Sequence, residues 1–297
     1  MMKVLVIAEH SDVAAQLCAG ARTLGDEVAV ALVGGAAYAP NTADAAYTVA
    51  VPAGCAADDA AESLKPAAEG AAIVIAEPTR HIKSVVGHMA AAAGAAVITD
   101  AMSIADGAAT SMYYGGVGQI TRKAAGAVAF YTATPSAFPD AAEPTGSCAE
   151  ATALEWVAPQ KAIRVVSSQP VEKTGVDLTK SDVVVAAGRG FAEEADLDLA
   201  RELCDKIGAG LGCTRPLAEG NGWMPTESYI GVSGLMLSPK VYVAAGVSGQ
   251  MQHMVGANRS GVIFAINKDE NAPVFKQCDY GLVGDIKEVL PALNALL

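Results

Sequence analysis

Residues 241–267 read VYVAAGVSGQMQHMVGANRSGVIFAIN, and no other stretch restricts the fold as tightly. Val241 to Ala245 is an apolar run of strand length without a polar face, the pattern of a strand buried on both sides of a parallel sheet. Gly246 breaks the run. Ser248 and Gly249 fall where a helix can begin, followed by Gln250, Gln252 and His253, the only histidine of the C-terminal half. A second apolar run, Val262 to Ile266, closes on Asn267. Strand, glycine turn, short helix and strand turn backbone N–H groups and a positive helix end toward a phosphate.

The rest of the chain repeats the alternation. Residues 3–7, 27–33, 47–51, 72–76 and 96–99 read as strands. Ala-rich segments at helical spacing lie between several of them, most clearly 13–24, 57–68 and 81–93. In the last, Ile82, Val85, Val86 and Met89 share one helix face. Strands alternating with helices predict α/β domains, each a mainly parallel sheet flanked by helices. Asp106-Gly107 and Gly115-Gly116 predict hairpins within 102–131. Proline-rich 132–161 reads as a long surface connection, and 162–171 as one more strand. The boundary falls in 173–181, dividing the chain into domains 1–174 and 175–297. The second half restarts with a strand at 182–187 and a helix at 193–207, stopped by Gly208. A strand at 274–278 follows, then a last helix capped by Asp285 with Ile286, Val289, Leu290, Leu293 and Leu297 on its core face.

Composition narrows the function. Hydrophobic residues make up 52% and charged ones 18%, enough for a large core. A formal net charge of −12 argues against nucleic acid, which needs a basic surface. The opening MMKVLVIAEH reads as a first strand, not a secretory signal, and no apolar run is long enough to span a bilayer, so a cytoplasmic protein without membrane insertion is expected. The six cysteines are scattered and read as packed free thiols. Four histidines without ligand spacing predict no metal site.

Neither G-x-G-x-x-G after a strand nor a P-loop is present. What remains is a set of glycine-bracketed loops, 188–190, 213–216, 231–234 and 246–253, which a doubly wound sheet gathers at the carboxyl ends of its strands. They carry Arg189, Thr214 with Arg215, Ser233, and Ser248 with Gln252 and His253. Each has a plain alternative: Arg189 could pair with Glu193 or Glu194, and Ser248 and Asp285 could each be only a helix cap. Four such loops on one edge leave much backbone uncovered unless a ligand fills it.

The long stretch resembles the signature of the electron-transfer flavoprotein α subunit: Tyr242, small residues, Gly246-Val247-Ser248-Gly249, Gln252-His253, Gly256, and a strand ending Ala265-Ile266-Asn267. Gly188-Arg189-Gly190, Thr214-Arg215 and Asp279-Tyr280-Gly281 through Asp285 match in order. The resemblance is strong over about 182–297 and weaker before it, through KVLVIAEH and Tyr114-Gly115-Gly116. It implies an electron carrier, not an enzyme with its own substrate, paired as a heterodimer with a β subunit. The C-terminal domain would be a doubly wound FAD-binding domain and the N-terminal one a scaffold contacting the β subunit. Electrons would pass between a flavin dehydrogenase of acyl-CoA type and a quinone-linked or other acceptor. Carried across, Arg189, Gly246, Ser248, Gly249, Gln250 and Gln252 would hold the pyrophosphate and ribityl region, and Asn267 and Asp285 the adenosine end. Arg215 would lie by the isoalloxazine, Ser233 would reach N5, and His253 the N1/O2 edge, with Thr214 counted beside Arg215 among the cofactor-binding residues. Val232 and Tyr229 depart from the family pattern beside the expected ring. Two other readings stand beside this one. A stand-alone flavin- or NAD-dependent oxidoreductase would need a catalytic acid or base, for which His253 is the only candidate. A non-redox nucleotide-binding regulator would be colourless.

Overall fold

The computed structural model describes residues 2–169 and 176–297. It comprises two compact units, residues 1–113 with 118–170, and 114–117 with 171–297. The boundary expected at 174–175 lies outside the described residues.

Among its described residues the first unit holds nine strands: β1 (Lys3–Ala8), β2 (Glu27–Val33), β3 (Ala45–Val49), β4 (Ala71–Ala76), β5 (Val97–Ala105), β6 (Ala108–Tyr113), β7 (Gly118–Lys123), β8 (Ala129–Ala133) and β9 (Thr152–Leu154). They form one sheet, ordered β7-β6-β5-β8-β4-β1-β2-β3-β9, parallel except where β6 pairs with β5 and β7. Alternate residues of β1 enter opposite cores. Val4, Val6 and Ala8 pack with Leu17 and Cys18 of α1 (Ser11–Ala21), and Leu5 and Ile7 with Ile82, Val85 and Val86 of α3 (Arg80–Ala92). Each fully buried aliphatic side chain contributes about 1.5–3 kcal/mol, which is why a strand with no polar face belongs in the middle of this sheet. Thr79 caps α3, its hydroxyl accepting from Ile82 N–H at 3.2 Å. A single-turn helix, α2 (Lys65–Ala68), lies between β3 and β4.

The second unit holds β10 (Val183–Ala187), β11 (Gly210–Cys213), β12 (Val241–Ala245), β13 (Val262–Asn267) and β14 (Tyr280–Val283), all parallel, in the order β11-β10-β12-β13-β14. One face buries Val185, Ala187, Val243 and Ala245 under α4 (Leu197–Ile207) and α6 (Ile286–Leu296). The other buries Val184, Ala186, Tyr242 and Ala244 under Ile230, Met254, Ala257 and Val274. The helical turn α5 (Met251–Met254) belongs to that second cover. Gly208, at φ +64°, ends α4 in the left-handed conformation that glycine adopts without penalty. The six cysteines are free, and burial pushes the Cys18 and Cys204 thiols up to about 12, where they are inert.

Several expectations are corrected. The strand expected at 162–171 is absent over its described part, 162–169. Arg164 forms only an isolated bridge to Cys55, and its neighbours are exposed on both sides, with no apolar face to bury. The connection 132–161 is not featureless: it contains the end of β8, a 3-10 turn at Pro135–Ala137, and β9 paired with β3. The helix expected at 57–68 is broken into the 3-10 turn Ala57–Asp59 and α2. Residues 273–276 form a 3-10 turn begun by Pro273, and the strand starts six residues later than the apolar run suggested, at Tyr280. So short a run carries no reliable period, and Pro273 supplies a turn start. On α6, Leu297 is exposed and Asn294 takes a buried place.

Candidate cofactor site

The second sheet reverses its strand order between β10 and β12. The order 2-1-3-4-5 opens a crevice at that point, beyond the carboxyl ends of the two strands. β10 runs into Gly188-Arg189-Gly190 and β12 into the loop that opens with Gly246. The two loops touch backbone to backbone. Gly190 N–H donates to the Gly246 carbonyl at 2.9 Å, and Gly188 N–H to the Ala245 carbonyl at 2.9 Å. A Cβ on Gly246 would lie 2.8 Å from the Gly190 Cα, and Gly246 has φ +62°. Only glycine fits both the approach and the conformation. Gly249, at φ +81°, is pressed against Val274, whose N–H donates to the Ser248 carbonyl at 3.1 Å.

Two cavities open on this edge, of about 370 and 360 Å³. Arg189, Ser248 and Gln250 line both. The first adds Gly190, Gly246, Asn267 and Asp285. The second adds Thr214, Arg215, Ser233, Gln252 and His253. The structure thus brings eleven of the twelve expected residues around two cavities that share three of them. Gly249 lines neither and serves the turn beneath. The lining residues not singled out from sequence as ligands are chiefly Lys268, Asp269, Ala272 and Pro273 in the first cavity, and Tyr229, Val232 and Val247 in the second. Lys268 directly follows the end of β13, so the rule that ligands gather at strand carboxyl ends could have found it.

The side chains differ in how committed they are. Asn267 is tied at both ends, its Nδ2 donating to the Val247 carbonyl at 2.9 Å and its Oδ1 accepting from Asp269 N–H at 2.9 Å. Asp285 caps α6, accepting from Lys287 N–H at 2.9 Å, while lining the first cavity, so the plain reading and the functional one coexist. Ser248 is not a cap: Gln250 holds that position. α5 is only four residues long, so its dipole is small and the glycine-loop amides are the better anion donors. Glu193 is used in a capping box with Asp196, not as a partner of Arg189. Arg215 is exposed at the rim of the second cavity, and its ion pair with Glu219, at 2.6 Å, raises its pKa further. Ser233 Oγ stands 3.3 Å from the Tyr229 hydroxyl.

His253 lines the second cavity but is largely enclosed. It is 7% exposed, its Nδ1 lies 2.9 Å from the Ile230 carbonyl and its Nε2 lies 2.7 Å from the Tyr242 hydroxyl. Burial pushes its pKa down to about 4. In this arrangement both ring nitrogens lie within hydrogen-bond distance of protein groups.

The edge is built for a larger ligand than water. The Thr214 hydroxyl is buried, lines the second cavity and has no hydrogen-bond partner, which costs about 1–3 kcal/mol unless a ligand satisfies it. A glycine cradle that a Cβ would fill, a cation shared by two cavities and an unpartnered hydroxyl together define a protein that binds a dinucleotide-sized cofactor.

Comparison with known proteins completes the assignment. Residues 177–258 match the electron transfer flavoprotein FAD-binding domain. The chain is similar to Protein FixB of Escherichia coli, from strains O7:K1 (IAI39 / ExPEC), O9:H4 (HS) and SMS-3-5. With each it shares 45% identity over 230 residues, 76% of this chain and 73% of the relative. The chain belongs to the electron-transfer flavoprotein α-subunit family, whose C-terminal domain binds FAD. Membership implies a β-subunit partner and redox partners. No helix among the described residues is long and apolar enough to cross a membrane.

Proposed function

We propose that FAD lies across the two cavities, with its pyrophosphate where they share Arg189 and Ser248. That sharing carries the reading, because two cavities joined by one cation and one hydroxyl suit a ligand with a charged centre and two bulky ends. The adenosine end takes the cavity of Asn267, Lys268 and Asp285, where the Asp285 carboxylate is placed to accept from ribose hydroxyls. The isoalloxazine takes the cavity of Thr214, Arg215 and Ser233, with the Thr214 hydroxyl finding its partner there. FAD supplies one-electron chemistry, and the protein sets its potential and its approach to partners. Arg215 is the rim cation that favours negative charge on the reduced ring. Val232, 45% exposed beside Ser233, offers no side-chain hydrogen bond there.

In the cell the heterodimer with a β subunit carries electrons from a flavin dehydrogenase of acyl-CoA type to a quinone-linked or other acceptor. The first unit acts as a scaffold for that subunit. Copurification with the β subunit tests the whole: a yellow complex with one flavin spectrum on this chain is expected. A complex that stays colourless when FAD is added would return the chain to a non-redox nucleotide binder. Within the site, Arg189→Ala is expected to weaken FAD retention about tenfold to a hundredfold, the worth of a charge-assisted contact. Retention equal to wild type would remove the pyrophosphate from the shared position.

A further inference from the structure

We propose that Tyr229 is a positioning residue for electron transfer that acts through Ser233: its hydroxyl donates to Ser233 Oγ and so aims the serine's own hydrogen into the second cavity. The proposal rests on the placement of the isoalloxazine in that cavity, and the test below separates the two.

The backbone fixes the tyrosine first. Tyr229 is bridged in parallel to Cys213, the last residue of β11. From there the chain folds into a closed turn. Leu235 N–H donates to the Tyr229 carbonyl at 2.7 Å, Gly231 N–H to the Leu235 carbonyl at 3.0 Å, and Gly234 N–H to the Gly231 carbonyl at 3.0 Å. The phenol ring lies against the inside of that turn. A Cβ on Gly234 would stand 2.6 Å from Tyr229 Cδ1, and one on Gly231 3.1 Å from Tyr229 Cε2. Glycine backbone thus borders both edges of the ring, which is buried and belongs to the core under α4 and α6. A ring held on both edges leaves its hydroxyl little freedom of place.

Packing does not require that hydroxyl, because a phenylalanine ring fills the same space. Its oxygen lies instead 3.3 Å from Ser233 Oγ, and both residues line the second cavity. Each hydroxyl has one hydrogen to give. A phenol is the better donor and an alkyl alcohol the better acceptor, so Tyr229 gives its hydrogen to Ser233, and the hydrogen of Ser233 is left for the cavity. The separation exceeds the usual O–H···O distance of about 2.7–2.8 Å, and a small rotation of the exposed serine side chain closes it. A hydroxyl that accepts one hydrogen bond donates the next more strongly. The Thr214 hydroxyl of the same cavity has no such second partner. Reduction adds negative charge to the ring, and a hydroxyl donating toward it favours the reduced form. Tyr229 therefore raises the potential by way of the serine.

The test is a double-mutant cycle read by potentiometric titration of the FAD-loaded heterodimer: wild type, Tyr229→Phe, Ser233→Ala and the two together. Tyr229→Phe is expected to disfavour uptake of the first electron about threefold to tenfold, a fall of about 30–60 mV. Ser233→Ala is expected to lower the potential at least as far, and the double variant no further than Ser233→Ala alone. In a Ser233→Thr background, which keeps the hydroxyl, Tyr229→Phe is expected to retain its effect. Tyr229→Phe keeps the ring in place, so its midpoint in chemical denaturation is expected to match wild type. Additive shifts in the cycle would overturn the proposal, because Tyr229 would then act without the serine. So would an unchanged potential in Tyr229→Phe, or a large loss of stability, which would make the hydroxyl a structural group. Failure of the isoalloxazine placement reads differently: Ser233→Ala and Arg215→Ala would both leave the potential where it was, and the placement and this proposal would fall together. If those two variants shift the potential and Tyr229→Phe does not, the proposal alone fails.

Discussion

Both sheets reverse their strand order beside the first strand of their unit, and the molecule treats these two reversal points in opposite ways. In the first unit the reversal lies between β1 and β4. Glu77, directly after β4 and 6% exposed, places its carboxylate there. Its Oε2 accepts from Glu9 N–H at 2.8 Å and His10 N–H at 3.2 Å, and its Oε1 meets His10 Nδ1 at 2.7 Å. The amides that could grip a ligand anion already grip an internal one. In the second unit the corresponding edge, between β10 and β12, has glycine on both sides, carries Arg189 and Ser248, and leaves the Thr214 hydroxyl unpartnered. The same topology therefore gives a filled edge or an open one according to whether the edge supplies its own anion.

The contrast can be broken at several points, the largest effect coming first. Gly246→Ala adds a Cβ at φ +62° and 2.8 Å from the Gly190 Cα. Left-handed strain and overpacking together are expected to cost about 4 kcal/mol and to abolish FAD retention. Chemical denaturation and the flavin absorbance of purified protein measure both, and a variant that keeps FAD would show that the glycine contact does not shape the edge.

His253 gives the second effect. Its pKa is about 4 in the fold against 6.5 when exposed, so between these values the unfolded chain binds a proton that the folded one refuses. Its stabilising share is complete above pH 6.5 and shrinks by about 3 kcal/mol as pH falls toward 4. Comparing wild type with His253→Asn by denaturation at pH 7 and at pH 4.5 isolates that share. Equal pH slopes would place a charged or exposed imidazole at 253.

Glu77→Ala comes next. It leaves the Glu9 and His10 amides without a partner and is expected to destabilise the first unit by about 2 kcal/mol, with FAD binding unchanged. Loss of FAD in that variant would contradict the division of labour between the two edges. Smallest in stability is Arg215→Ala. Its exposed ion pair with Glu219 leaves the melting temperature where it was, while the FAD potential falls because the rim cation is gone. A potentiometric titration with no fall would remove Arg215 from the ring.

Much of this was legible in the residues. The apolar runs without polar faces marked β1, β2, β4, β10, β12 and β13 as buried parallel strands, and the loops after β10 and β12 gathered at one edge as the topology rule requires. Reading failed where local signals were short or tertiary. Residues 274–278 have strand composition but follow a proline and pack as a turn under Gly249. Residues 162–169 are rich in β-branched side chains but find no sheet edge. His253 was identified as a site residue, yet its chemistry could not be read without Tyr242, which lies eleven positions away and on another element.

The sequence by itself determined which segments must be buried strands, where glycine must stand, and which family signature the second half carries, because those depend on side-chain size, period and backbone freedom along the chain. Only the tertiary structure decided which polar groups are already satisfied. Glu77 on its amides, His253 between Tyr242 and Ile230, and Thr214 with nothing are all residue types that bind cofactors elsewhere. A hydrogen-bonding group has few bonds to give, and whether a neighbour from a distant part of the chain has taken them is set by packing in three dimensions.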